Sequence, residues 1–310
     1  MSAAPDIDGT PREERTAPLP EETPFRRLAS GFAESPLAII GLIGTVIVVF
    51  VAVFAPLISP QNPYDLGQID ILDSLLPPGS KAYTGGVYWL GTDDQGRDML
   101  SAIFYGLRLS IFVGIGSAAL AVMVGTAVGL CSAYFGGRLD TLIMRAVDVQ
   151  ISFPTVLIAL ILLAVLGKGV DKVIMALVIV QWAYYARTVR GTALAELNKE
   201  YMEAGRSLGL SSARMIFRHL LPNCLPPLIV IATVQVANAI ALEAALSFLG
   251  LGLPVTEPSL GLLISNGYDY LLGGKYWISV LPGVALLFTI VSINLVGDRL
   301  RDILNPRLER

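Results

Sequence analysis

Charge-free apolar runs recur along the chain with polar, turn-rich stretches between them, and their lengths predict the elements. Leu37 to Ile58 is an unbroken run of 22 residues, and Leu109 to Tyr134, Val149 to Gly167 and Tyr276 to Gly297 are three more. Two others are less clean: Val173 to Ala186 is held to 14 residues by Lys172 and Arg187, and Leu225 to Leu249 contains Glu243. A bilayer core about 30 Å thick takes about 20 helical residues, and in lipid every backbone polar group must be bonded within its own helix or barrel. The pattern predicts an all-α polytopic membrane protein of six transmembrane helices. The short fourth run must extend past its flanking charges to cross.

The intervening stretches set the organisation. Residues 1–36, with Pro5, Pro11, Pro18, Pro20 and Pro24 among scattered charges, read as a disordered tail. Residues 37–58 form the first transmembrane helix, too long for a cleaved signal and so read as a retained anchor. Residues 59–106, with Pro60, Pro63, Pro77, Pro78 and Gly79, form a long turn-rich loop. Residues 107–300 form the transmembrane core, interrupted by a second long loop at 187–224, and 301–310 form a short tail. Basic residues resist translocation, so their count orients the chain. With the amino terminus inside, sixteen of the 22 Lys and Arg fall on the cytoplasmic side and six outside. Both termini and the 187–224 loop are therefore expected in the cytoplasm and the 59–106 loop outside.

Composition agrees. The chain is 54% hydrophobic and 15% charged, against about 25% charged for a soluble domain. A net charge of −3 gives no basic face for nucleic acid. Cys131 and Cys224 form no disulfide framework or metal-ligand spacing, and the single histidine, His219, leaves no His-rich metal site. No metal and no catalytic residues are expected. A membrane enzyme would need paired intramembrane carboxylates, a His-Glu-x-x-His helix or a serine–histidine dyad, and an autonomous channel a repeated filter-like segment; the sequence has none of these.

The chemistry concentrates in the second loop. From Asn198 it parses as two short helices: Asn198 caps the first with Glu200 in its opening turn, Gly209 ends it, and Ser211 or Ser212 caps the second, which stops at Pro222. Tyr201, Ala204 and Leu208 share one face, while Arg206, Arg214 and Arg218 are polar. Such an amphipathic pair either lies on anionic lipid or docks in a partner's groove. The order of residues decides. Glu203-Ala204-Gly205, then Gly209, Ile216 and Leu221-Pro222, resembles the "EAA" loop of bacterial ABC-importer permeases, with Gly205 where Ala is usual. Leu90-Gly-Thr-Asp-Asp-Gln-Gly-Arg-Asp-Met-Leu-Ser101, Leu246-Ser-Phe-Leu-Gly-Leu-Gly252 and Gly297-Asp-Arg-Leu-Arg-Asp302 are similar to the second, C-type permease of the dipeptide, oligopeptide and nickel importers.

That resemblance implies a type I importer bundle in the bacterial inner membrane. It implies a second homologous permease, two ATPase subunits and an extracytoplasmic solute-binding protein as partners, beside membrane lipid. It also implies that Glu203, Ala204, Gly205, Gly209, Ile216, Leu221 and Pro222 couple to the ATPase. The sequence contains no Gly-x-x-x-x-Gly-Lys-Ser/Thr phosphate loop, so no cofactor is expected on this chain, and ATP with Mg belongs to the partners. Within the spans, Glu243 stands out because a carboxylate in lipid costs several kcal/mol unless it meets water or a partner. It is either a functional acid or one hydrogen-bonded to a neighbouring helix. Gln181, Gln235 and Asn238 either line a polar pathway or bond helix to helix. Gly125 and Gly129 have the spacing of a close helix contact. Asp93, Asp94, Arg97 and Asp98 read as a salt-bridged turn or a binding-protein contact ahead of a metal site.

Overall fold

The computed structural model describes residues 30–304 apart from 84 and 255. Most of the proposed disordered tail, residues 1–29, and the last residues, 305–310, lie outside the described residues. Residues 30–33 form a helical turn rather than belonging to the tail. The Arg299 guanidinium ties this turn down, donating from Nε to the Gly31 carbonyl at 2.8 Å.

Helix α1 (Pro36–Ile58) begins where Ser35 Oγ accepts from the Ala38 amide and Pro36 fills the first turn. Its buried residues, Ala38, Gly41, Gly44, Val48, Ala52 and Ala55, recur every three or four positions and all but Val48 are small. Small residues let helices approach closely where no hydrophobic drive separates lipid from side chain. The opposite face exposes Leu37, Ile40, Ile43, Val46 and Phe50, which lipid tolerates and water would not.

Residues 59–98 fold rather than trail. Two single-turn 3₁₀ helices, Leu66–Gln68 and Ile71–Asp73, precede an antiparallel pair of two-residue strands, β1 (Ser80–Lys81) and β2 (Val87–Tyr88). The next helix, α2 (Met99–Phe135), starts seven residues before the expected end of this loop at 106. Asp98 Oδ2 caps it, accepting from the Ser101 amide at 2.8 Å and from Ser101 Oγ at 2.6 Å. A helix start with a carboxylate cap overrides Arg108, which sits inside α2 just ahead of the charge-free run.

Gly136 and Gly137 turn the chain into α3 (Gly137–Ser152), which meets α4 (Thr155–Leu166) at a 94° bend. The run from Val149 to Gly167 is therefore not one straight span. Pro154 lacks an N–H and drives Phe153 out of the helical region, to φ −95° and ψ 146°. Helix α5 (Val170–Leu197) runs through Lys172 and Arg187 as its short apolar run required, and α6 is Glu200–Ser207. Helix α7 (Ser212–Phe248) passes through Pro222, Pro226 and Pro227, correcting the expected stop at Pro222. A π-helical segment, Met215–Leu220, lies immediately before Pro222, and such a wider turn accommodates the helix-bonding pattern a proline disturbs. The loop expected at 187–224 thus shrinks to residues 198–199 and 208–211 around α6. Helix α8 (Leu260–Tyr268) and α9 (Trp277–Leu304) complete the chain, α9 reaching into the expected carboxyl tail.

Among the described residues, α1, α2, α7 and α9 are long and apolar enough to cross a membrane, and the bent α3–α4 pair makes a fifth crossing if it is one span. Helix α5 has the length, but Asp171, Lys172, Arg187, Arg190 and Glu196 set its composition apart. It makes the most extensive pairing of the bundle, with α2. A Cβ on Gly125 would stand 2.5 Å from the Trp182 carbonyl, and one on Gly129 2.6 Å from that of Ala186. The Gly-x-x-x-Gly pair is where the two backbones touch.

Candidate functional site

The α6–α7 segment is bonded into the bundle from its inner side. Met202 on α6 and Met215 on α7 are fully buried and join a core formed with Leu130, Tyr185, Val189, Leu220 and Cys224. Each such burial stabilises by roughly 1.5–3 kcal/mol relative to exposure. A Cβ on Gly205 would lie 2.7 Å from Met215 Sδ, so the smallest residue is what lets α6 lie against α7. Polar contacts add to this. Glu196 at the end of α5 accepts from Tyr201 Oη at 2.7 Å and pairs with Lys199 Nζ at 2.7 Å, and Asn223 Nδ2 on α7 donates to Tyr201 Oη at 3.2 Å.

The buried side of α6 is therefore Met202 and Gly205, and the Tyr201–Ala204–Leu208 side faces outward. Leu208 is 78% exposed and Phe217, nearby on α7, 68%. Glu203 and Ala204 are exposed with them. Gly209 has φ +69°, the left-handed turn that ends α6, and Ser211 caps α7 by accepting from the Arg214 amide. Asn198 does not cap α6: it ends α5, donating from Nδ2 to the Leu194 carbonyl, and Lys199 holds the N-cap place. Ile216 and Leu221 pack half-buried against the same core, while Pro222 is exposed within α7.

A cavity of about 270 Å³ opens between the start of α4, the middle of α5 and the middle of α7, at the small end of the ~300–1,000 Å³ typical of ligand pockets. Gln181, Gln235 and Asn238 all line it, with Thr155, Tyr184 and Leu242. Asn238 Nδ2 donates to Gln235 Oε1 at 2.7 Å, and Gln181 Nε2 faces the Gln235 carbonyl at 3.5 Å. Gln181 Oε1 is buried and, among the described residues, has no hydrogen-bond partner.

Glu243 lies elsewhere. It is fully buried one turn below the end of α7, and its carboxylate accepts from Ser110 Oγ on α2 at 3.1 Å and Ser247 Oγ at 2.8 Å. These hydroxyls replace water around the acid, and that of Ser110 ties α7 to α2.

A transport-permease model, the binding-protein-dependent transport system inner membrane component, matches residues 121–310, which hold α3 to α9 and the end of α2 from residue 121. A second, the N-terminal TM domain of oligopeptide transport permease C, matches residues 23–78. The chain belongs to the binding-protein-dependent transport permeases, in the permease C branch. Permeases similar to it include the dipeptide permease DppC of Escherichia coli, 39% identical over 95% of this chain and 97% of that one. The di/tripeptide permease DppC of Pseudomonas aeruginosa is 37% identical over 93% of both chains, and the oligopeptide permease OppC of Bacillus subtilis 37% over 90% and 88%. The fold is similar to a chain of the MetNI methionine ABC transporter in an inward-facing conformation, with TM-score 0.54, 22% identity and coverage of 66% of this chain and 97% of that one.

In this permease several contributors to the site carried no signal in sequence. Met202 and Met215 read only as apolar residues on amphipathic helices; their pairing depends on the turn at Gly209. Tyr184 and Thr155 become cavity residues only because α4 folds back at Pro154. The Asp93–Arg97 turn was legible: Arg97 Nε meets Asp93 Oδ2 at 2.6 Å, with both side chains buried, as a salt-bridged turn requires. Among the described residues no group of three or more His, Cys, Asp and Glu is placed to hold a metal ion.

Proposed function

We propose that this permease is one of two homologous membrane subunits of an ATP-driven importer for peptides or a related small solute. Its relatives' names supply the substrate class: they are dipeptide, di/tripeptide and oligopeptide permeases. The observation that carries the coupling role is the outward face of α6 and early α7. Glu203, Ala204, Leu208 and Phe217 are exposed there, on a segment braced from behind by Met202 and Met215. A surface both apolar and firmly backed transmits a push, whereas a loose loop would absorb it. Docked on two ATPase subunits that hold ATP and Mg, this face passes their closure to α5 and α7. A binding protein delivers solute from the outer side, and Gln181, Gln235 and Asn238 form this subunit's part of the pathway. Glu243 holds α2 and α7 together beside it.

Six spans follow if the α3–α4 pair and α5 each cross. At 1.5 Å per residue the 28 residues of α5 reach about 42 Å, longer than an apolar core of about 30 Å, and Lys172 and Arg187, about 22 Å apart, would extend their side chains towards its two surfaces.

Deleting the α6 region would strip Met202 from the core, so exposed positions give the cleaner test. Leu208→Asp with Phe217→Asp should abolish co-purification of the ATPase while the permease keeps its melting temperature. Retention of the ATPase by this variant would refute the docking face. Glu203→Lys is expected to leave the complex assembled and lower transport about tenfold or more, about 1.4 kcal/mol in coupling; full transport would remove Glu203 from that role.

A further inference from the structure

We propose that the cavity between α4, α5 and α7 binds the peptide group of a solute, with the Gln181 side-chain carbonyl accepting the solute's backbone N–H. The assignment rests on the importer reading and gives its pathway face a chemical class.

The lining decides what the cavity can take. Thr155, Gln181, Tyr184, Gln235 and Asn238 are its polar members, and no charged side chain, histidine or cysteine lines it. A divalent cation needs carboxylate, imidazole or thiolate donors, and an anion a cationic or N–H-rich cradle. Amide side chains, by contrast, repeat the chemistry of the peptide group, offering a carbonyl acceptor and N–H donors in one plane.

The orientation of Gln181 sharpens this. Its Nε2 faces the Gln235 carbonyl, and reversing the amide would bring two oxygens together. The carbonyl Oε1 is thus left over, on a residue only 3% exposed. A buried acceptor without a donor is costly, and the residue that carries this one lines the cavity. The neighbouring amides do not relieve it: Asn238 Nδ2 is turned to Gln235 Oε1. An N–H brought by a solute would.

The test uses the whole complex, with its partner permease, ATPases and binding protein, reconstituted in liposomes. The probes are dialanine and its ester analogue, in which oxygen replaces the central N–H. Gln181→Met keeps the length and removes the carbonyl. Uptake of dialanine should fall about tenfold, and of the ester by less than about twofold. Each probe is scored against the wild-type complex, so selectivity imposed by the binding protein cancels. An equal fall for both probes, or undiminished dialanine uptake, overturns the assignment. Where the wild type excludes the ester, the fall in dialanine uptake by a fully assembled complex decides it. If Gln181→Met does not assemble, Gln181→Asn, which withdraws the same carbonyl by one methylene, carries the comparison. A wild-type complex that hydrolyses ATP but carries no dialanine overturns the peptide reading, and this assignment with it; one that assembles with no ATPase overturns the importer reading itself.

Discussion

At the residue scale, the buried polar side chains differ in how completely they are answered. Asp98 and Asp73 each accept several hydrogen bonds in the segment before α2. Asp94, in the same segment, is not so served: its Oδ1 is buried with no partner among the described residues. Burial, then the adjacent Asp93, raises its carboxyl above the ordinary aspartate range, with Arg97 opposing. A raised carboxyl pKa means that the fold favours the protonated form. The charged form therefore weakens the fold at neutral pH, and the penalty vanishes as pH falls below the ordinary range. Asp94→Asn should raise the melting temperature near pH 7, with the gain shrinking to nothing in acid. Identical melting of variant and wild type near neutrality would show that this carboxylate costs the fold nothing. Glu243 is the opposite case, an acid that looked anomalous within an apolar run and is met by Ser110 and Ser247. Its partners come from 133 residues upstream and one turn downstream in the chain, so only the fold could name the first.

At the element scale, helices were legible where apolar length alone decides and less so where charge or proline intervened. Helix α1 matches its apolar run to within one residue. Helices α2, α5 and α9 all run beyond their apolar runs, because a helix ends where its backbone is capped or broken, whereas an apolar run ends where lipid does. Proline was ambiguous: Pro154 breaks α3 from α4, while Pro222, Pro226 and Pro227 are carried within α7. The difference lies in what surrounds each, a free turn after Ser152 and a π-segment packed by Met215 and Leu220 before Pro222. The Gly125–Gly129 contact is the element-scale prediction with the clearest geometry. Gly129→Leu must push its side chain into the Ala186 carbonyl and Val189, so the α2–α5 pair should separate at a cost of about 1–3 kcal/mol. A thermal melt of the purified protein reads this, and an unshifted melt would place the backbones further apart than described.

At the scale of the whole molecule, the distribution of Lys and Arg predicts both termini in the cytoplasm. A reporter fused after residue 310 should be active only when it reads the cytoplasmic side, and activity from the outer side would reverse the topology. The sequence by itself determined the class and the family, because apolar length and local motifs are properties of contiguous chain. Tertiary structure alone decided which side of α6 faces inward. It also brought Gln181 on α5 to Gln235 and Asn238 on α7, and placed Glu243 against Ser110 instead of in the cavity. Those pairings join residues tens to more than a hundred positions apart, and their register is set by helix packing around small residues, which no local pattern encodes.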